Sequence, residues 1–439
     1  MSTEGRRTRR TVLAACAPAI VAGACRPGGE TAQPGGAAKR VQTGLLQLWG
    51  SYGAMERDVL LKYLNQFAAL HPGTTVELQI YTNQDFMTKL IAALAGGTGP
   101  DFVRFKEYQA LDMAALGYAV ELDGLVSKDK RIRLDDFTTQ SVEGSRYKNK
   151  LAGIPHHHQF VMMGWNKTLF QQAGLNPDKG PETWDELRDF ARRLRKPEND
   201  VWGFRLYEIA GKPREQQFNW FMEFVWRNGG DVFNKDRTQV LLDRPESIEA
   251  MQFMVDLMYR DKSTPTPADP IPDANKGKVA IWMPTGAGFL NVRQTAPDLV
   301  WGIGPMPRKK QFATQAQHNT FSMLKVSKLQ DLTWEAIIYL ASDEVASKWQ
   351  PEVATIPVRK SVYEKPPYSN DPGWKQIIDI LRMPGNRPKP HVPNWDEFTE
   401  ETICPYLLEA WAQQKSPKDA LMEATRQGNA WLAKNLRRA

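Results

Sequence analysis

The sequence predicts an α/β protein whose mainly parallel sheets are flanked by helices and shared between two domains or more. Two observations carry this. Short apolar strands and helix-length apolar stripes alternate from Leu45 to Val103 with short loops between them, the order of β-α-β units. About 395 residues then follow a leader-like N-terminus, more than one domain usually holds.

Residues 45–49 form the first strand. Leu60, Leu61, Leu64, Phe67 and Ala68 repeat at helical spacing, and His71-Pro72-Gly73 stops that helix. Val76, Leu78 and Ile80 alternate with Glu77 and Gln79, which predicts a strand with one wet face. Phe86, Leu90, Ile91 and Leu94 mark the next helix, closed by the glycines of 96–99 and Pro100. Asp101-Phe102-Val103 opens a buried strand, with Asp101 expected to cap the turn after Pro100 and a ligand contact as the alternative. Thr183 to Glu186 reads as a capping box, the Thr183 hydroxyl accepting from the Glu186 N–H and Glu186 reaching back. Ile248, Met251, Met254, Val255 and Met258 share one side of a helix and are expected in the core, as are Trp184, Trp334 and Cys404. Residues 374–436 read as mostly helical.

The N-terminus has a separate logic. A basic stretch ending in Arg9-Arg10 precedes an uncharged run, Val12 to Ala24, that closes in Ala22-Gly23-Ala24-Cys25. That order is a secretory signal, and the paired arginines suggest the twin-arginine route. Cys25 after small residues is the expected lipidation site, although Ala22 stands where Leu is commonest. The run is shorter than the roughly 20 residues of a membrane span. Residues 1–25 are therefore read as signal and 26–43, rich in Gly, Pro and Ala, as a flexible tether. Of three cysteines only Cys404 then remains, so no internal disulfide is expected. Without residues 1–25 the formal net charge falls from +7 to +4, too mild and too scattered for a nucleic-acid surface.

The motifs, taken in order, resemble those of the family 1 extracellular solute-binding proteins, the carbohydrate-binding subunits of ABC importers. They include Leu48-Trp49-Gly50-Ser51-Tyr52, residues 67–73, 89–101 and 153–155, Trp165-Asn166-Lys167, Thr183-Trp184-Asp185-Glu186-Leu187, Asn228-Gly229-Gly230, 277–282 and Ile356-Pro357-Val358-Arg359. The family's usual Tyr-Asn-Lys has Trp165 in first place here. The resemblance spans about 44–435. It implies a two-lobed, periplasmic-binding-protein-like fold, with 44–155 and 306–343 in lobe 1, 156–305 and 344–439 in lobe 2, and a ligand cleft at the hinge. It also implies an ABC permease as partner, with the binding protein taken as a monomer.

A sugar site needs aromatic platforms beside amide, carboxylate or hydroxyl groups. Three places offer these: Trp49, Ser51 and Tyr52 after the first strand; His156, His158 and Gln159 at the first crossover; and Trp282, Thr285 and Gly286 in a strand that enters a glycine-rich loop. Packing under the loop is the alternative for Trp49 and Tyr52, and buried, hydrogen-bonded imidazole for the histidines. Lys106, Glu107, Tyr108, Trp220, Trp226 and Trp395 are further candidates. At most His156 and His158 converge on an extended chain, no cysteine pair exists, and no metal or cofactor is expected. The sequence also lacks a Gly-x-Ser-x-Gly elbow, a His-Glu-x-x-His helix and an evident pair of spaced carboxylates, so no enzyme is read from it. The alternatives to a sugar are a glycerophosphodiester, polyol or peptide, with Arg104 and Lys106 the cations a phosphate would need.

Overall fold

The computed structural model describes residues 42–51, 54–206 and 215–436. The leader with Cys25, most of the 26–43 tether and Tyr52 lie outside the described residues. Two sheets organise the rest. Their strands are β1 (Leu45–Gly50), β2 (Thr75–Ile80), β3 (Phe102–Lys106), β4 (Ile154–Gln159), β5 (Met163–Asn166), β6 (Trp202–Arg205), β7 (Val279–Trp282), β8 (Trp301–Gly304), β9 (Gln317–Met323) and β10 (Ile356–Pro357). The larger sheet has the order β10-β4-β9-β3-β1-β2, and the smaller one β8-β5-β7-β6.

β1 to β4 share one direction and β9 and β10 oppose them; in the smaller sheet β6, β7 and β8 agree and β5 is opposed. The helix-covered crossovers set the parallel majority, as the strand–helix alternation predicts. β5 and β9 arrive from the other sheet instead, without a crossover helix between parallel neighbours, and so run antiparallel. β2 is an edge strand, and its alternation of half-buried Val76, Leu78 and Ile80 with exposed Glu77 and Gln79 follows from that place.

Each sheet has its own core. Leu46, Leu48, Phe102, Ile154 and Phe321 pack with helices Ala54–Ala69 and Gln330–Ala341 on the larger one. Trp184, stacked on Phe253 at 4.5 Å between centroids, joins Met251, Met254 and Cys404 under the smaller one. A third apolar cluster lies at the seam, where Phe160 and Met162 between β4 and β5 meet Phe289, Ile303 and Ile356. Helix Asp343–Glu352 packs on helix Ala54–Ala69, with Tyr63 donating to Glu352 at 2.8 Å, and β10 then pairs with β4. Residues 343–357 thus still serve the larger sheet. No helix among the described residues is long and apolar enough to cross a membrane.

Two local expectations need correction. The Thr183 hydroxyl accepts from Glu186 N–H at 3.2 Å as expected, but the Glu186 carboxylate reaches Glu182 N–H instead of Thr183. Asp101 caps no turn. It is buried and accepts from Gln47 N–H at 2.8 Å and Ser327 Oγ at 2.6 Å, tying β1 to the chain after β9. Burial explains the change: a carboxylate taken from water must be fully hydrogen-bonded, and these donors are the ones within reach.

The crossing strands β4 and β9 hold a buried histidine group. His156 stacks on Phe321 at 4.2 Å and lies 2.9 Å, Nδ1 to Nδ1, from His157. His158 pairs with Thr138 Oγ1 and His318 with Ser145 Oγ, both at 2.7 Å. Burial draws all four below the usual imidazole range, aided at His156 by His157 and Arg104 and at His157 by Arg104; His158 falls to about 4 and His318 to about 3.

Two predictions follow from this packing. Replacing Asp101 by Ala should lower unfolding free energy by about 3 kcal/mol in a urea titration, since Gln47 N–H and Ser327 lose their acceptor. The second concerns acid. A depressed folded pKa means that the unfolded chain binds the proton more tightly, so the stability His318 supplies is whole above about pH 6.5 and declines as pH falls towards 3. Between pH 7 and 5 the wild type should lose about 2 kcal/mol more than His318→Gln; equal losses would refute it.

Candidate functional site

β1, β2, β3 and β4 end on one side of the larger sheet, at Ser51, Tyr81, Lys106 and Gln159. β9 begins there, with Gln317 opposite Gln159 and Asn319 opposite Lys106. The carboxyl ends of parallel strands are where open α/β sheets take ligands. A cavity of about 600 Å³ opens at this edge, lined among others by Ser51, Tyr81, Arg104, Lys106, Gln159 and Asn319. A smaller one of about 210 Å³ shares Lys106, Gln159 and Gln216 with it and continues to Asn219, Trp220, Thr285 and Gln315. Thr285 follows β7, so the two cavities together run from the larger sheet to the smaller.

Arg104 is the deeper of two cations at this place. Its guanidinium is buried, donates to Ser51 O at 2.9 Å and to His156 Nε2 at 3.3 Å, and meets Glu56 Oε1 at 2.5 Å. Burial raises the Glu56 pKa, and Arg104 works against that rise. Lys106 closes β3 and turns towards both cavities. Its Nζ lies 3.3 Å from Tyr108 Oη and 3.4 Å from Glu215 Oε2.

Glu215 opens helix Glu215–Arg227 and joins the two sheets' elements chemically. Its Oε1 accepts from Asn219 Nδ2 at 2.7 Å and from Lys389 Nζ. Burial pushes its carboxyl up, but Lys106 and Lys389 outweigh burial and hold it well below the usual range. Tyr108 Oη donates to Asp396 at 2.8 Å, and Asp112 accepts from Asn394 N–H at 3.0 Å. Burial, with Glu215 nearby, raises Asp396 to about 6; burial raises Glu107 to about 7.

The structure brings Ser51, Lys106, Gln159, Trp220 and Thr285 to the cavities. The other nominated residues in the described chain sit behind them. Trp49 packs on Tyr81 at 5.1 Å between centroids. Tyr108 and Trp395 are buried around Lys389, and Trp226 lies under Arg387 at 3.7 Å. Trp282 is buried against Trp301, Gly286 packs against Ile356, and His156 and His158 belong to the crossing-strand network. Among the described residues no group of His, Cys, Asp and Glu is arranged to hold a metal ion.

Sequence reasoning missed Glu215, Gln216, Asn219, Gln315, Gln317 and Asn319. A signal existed. Gln315, Gln317 and Asn319 alternate along an extended segment, and Gln216, Asn219 and Trp220 share one helical face.

The chain matches the family described as bacterial extracellular solute-binding protein over residues 54–347. It is 25% identical over 380 residues to a binding protein of Brucella abortus, covering 84% of this chain and 88% of that one. It is 24% identical over 377 residues to the sn-glycerol-3-phosphate-binding periplasmic protein of Pectobacterium atrosepticum, covering 78% and 80%. Among solved structures it superposes on an ABC transporter solute-binding protein of Thermotoga lettingae bound with alpha-D-tagatose, with a TM-score of 0.79, 22% identity, and 89% of this chain and 100% of that one covered. The Listeria monocytogenes substrate-binding protein in complex with cycloalternan gives 0.77 at 21% identity, with 89% and 100% covered. The α/β architecture is thus that of the two-lobed solute-binding proteins, and the chain belongs to the bacterial extracellular solute-binding protein family.

Proposed function

We propose that this protein captures a sugar or oligosaccharide between its lobes and delivers it to an ABC transporter permease. One observation carries the reading. The paired cavities are ringed by amides, among them Gln109, Gln159, Gln216, Gln315 and Gln317, while the carboxylates Glu56 and Glu215 face Arg104 and Lys106. Amides can both donate and accept, which suits hydroxyls. Tyr81 and Trp220 supply aromatic faces. The neighbours bound to tagatose and cycloalternan support the same reading.

In this reading the lobes are built on the two sheets. Residues up to Gln159 and the segment from β9 to β10 make the first lobe; those from β5 to β8 and the C-terminal helices make the second. A ligand touching both stabilises the closed arrangement by its differential affinity. Glu56 and Glu215 are engaged with cations, which argues for binding and against acid–base chemistry. The second reading, a glycerophosphodiester, draws on Arg104 and Lys106 and on the glycerol-3-phosphate-binding relative. The existing ion pairs of both cations favour the sugar.

Titration calorimetry with D-tagatose, maltose and mannobiose should give heat with at least one, and Lys106→Met should weaken that sugar about tenfold. Heat with sn-glycerol-3-phosphate and with none of these sugars would reverse the order of the two readings. We also place the protein outside the cytoplasm on a lipid anchor at Cys25. Cys25→Ala should then move it from the membrane pellet to the soluble fraction of its host, and an unchanged pellet would count against the anchor.

A further inference from the structure

The two lobes also meet beside the cavities, through bonds made by the chain's own groups. Helix Glu107–Ala115 follows β3 on the larger sheet. Residues 389–396 lead into the C-terminal helices, and Val392 and Trp395 join the core under the smaller sheet. Tyr108 crosses from the first of these elements to the second. It is 2% exposed, belongs to the smaller sheet's apolar cluster, and donates through Oη to Asp396 Oδ1 at 2.8 Å. Asp112 lies four residues on, so the same helix face presents both side chains. Its Oδ1 accepts from Asn394 N–H at 3.0 Å and faces His391 Nε2 at 3.1 Å.

Lys389 stands between the two elements. Its side chain is fully buried and its ammonium pairs with Glu215. It lies 4.0 Å from the centre of the Tyr108 ring and 4.6 Å from that of Trp395, so one ring comes from each lobe. A buried ammonium is stable only with its compensation in place, and parting the lobes would remove one of these rings. The backbone of this segment is shaped to the contact. Asn394 adopts φ +52°, a left-handed conformation that asparagine tolerates better than most residues. Directly after Asp396, Glu397–Ile403 form a π-helical stretch, a rare form that recurs at functional places, and Glu400 accepts there from Glu215 N–H at 3.2 Å.

We propose that helix Glu107–Ala115 and residues 389–396 form a latch that holds the two lobes facing each other without help from a ligand. The inner cavity takes Lys106 and Gln159 from one lobe and Gln216, Trp220 and Thr285 from the other. A solute that bridges these walls binds only where they are opposed. With the latch made, the walls are opposed before the solute arrives, and little of its binding energy goes into bringing them together. With the latch broken, only a fraction of molecules is competent at any moment, and the apparent affinity falls by that fraction. The latch rests on the lobe boundaries given above and not on the identity of the solute.

The test uses the full chain carrying Tyr108→Phe and Asp112→Ala together. Neither residue lines a cavity, and Phe keeps the ring that packs at 108. Small-angle X-ray scattering without ligand should give a radius of gyration larger than that of the wild type by about 0.5 Å or more, on roughly 21 Å for a compact chain of this size. Asp112→Asn alone keeps an acceptor oxygen and should scatter as the wild type does. Circular dichroism checks folding, and if the double variant is unfolded, Tyr108→Phe alone is read in its place. An unchanged radius in the folded variant overturns the proposal. Whichever of D-tagatose, maltose or mannobiose binds the wild type most tightly should bind the opened variant about fivefold more weakly. Equal affinity in an opened variant would also overturn it, since the latch would then not serve the cavity. If no sugar binds the wild type, the sugar reading fails by itself, and the scattering comparison still decides the latch.

Discussion

A guanidinium withdrawn from water is the constraint around which the cavity edge of this protein is arranged. Arg104 stands on a central strand of the larger sheet, with Glu56 supplying its counter-charge and Ser51 O, His156 and His157 supplying hydrogen-bond partners. Each partner fixes something else. Glu56 sets the first turn of helix Ala54–Ala69 against the strand ends. Ser51 sets where the chain leaves β1. The imidazoles lie on β4, the strand from which the chain passes to the other sheet, and beside a buried cation they are favoured in the neutral form. A single desolvated charge thereby couples the loop after β1, the crossing strand and the electrostatics of the cavity.

Charge compensation is repeated one step along the same strand. Lys106 shares Glu215 with Lys389, so carboxylate and ammonium again meet where the two sheets' elements touch. Two cations thus reach the cavity edge without making it strongly positive. A protein that drew phosphate by long-range field would leave such charges uncompensated. Here the polar groups that line the cavities act at short range, through the direction and number of their hydrogen bonds. Proteins similar to this chain bind solutes as different as tagatose and sn-glycerol-3-phosphate, as one fold can carry many sites.

The fold was legible where side-chain periodicity reports burial. The alternation in 75–80 and the methionine stripe of 248–258 each locate a face, and a face locates a neighbour. Lys106, Gln159, Trp220 and Thr285 were within reach because they stand at strand ends or on helices that follow crossovers. The rest was hidden for a physical reason. Tryptophan is large enough to be either platform or core, and its sequence neighbours do not decide which: Trp226 and Trp395 are fully buried. Amides such as Gln315 and Asn319 look like ordinary surface residues until the topology sets two crossovers side by side. Asp101 misled because its partners, Gln47 and Ser327, are far away along the chain.

The seam between the sheets has a different character from the cavity. Phe160, Met162, Ile356 and Phe289 meet there through apolar contacts, whereas the cavity edge is held by directed bonds. Apolar contact has no preferred direction, so the seam is held by coverage and by the fit of its side chains and not by any single bond. The molecule therefore joins its two sheets in two languages, by shape at the seam and by matched charges and hydrogen bonds at the cavity.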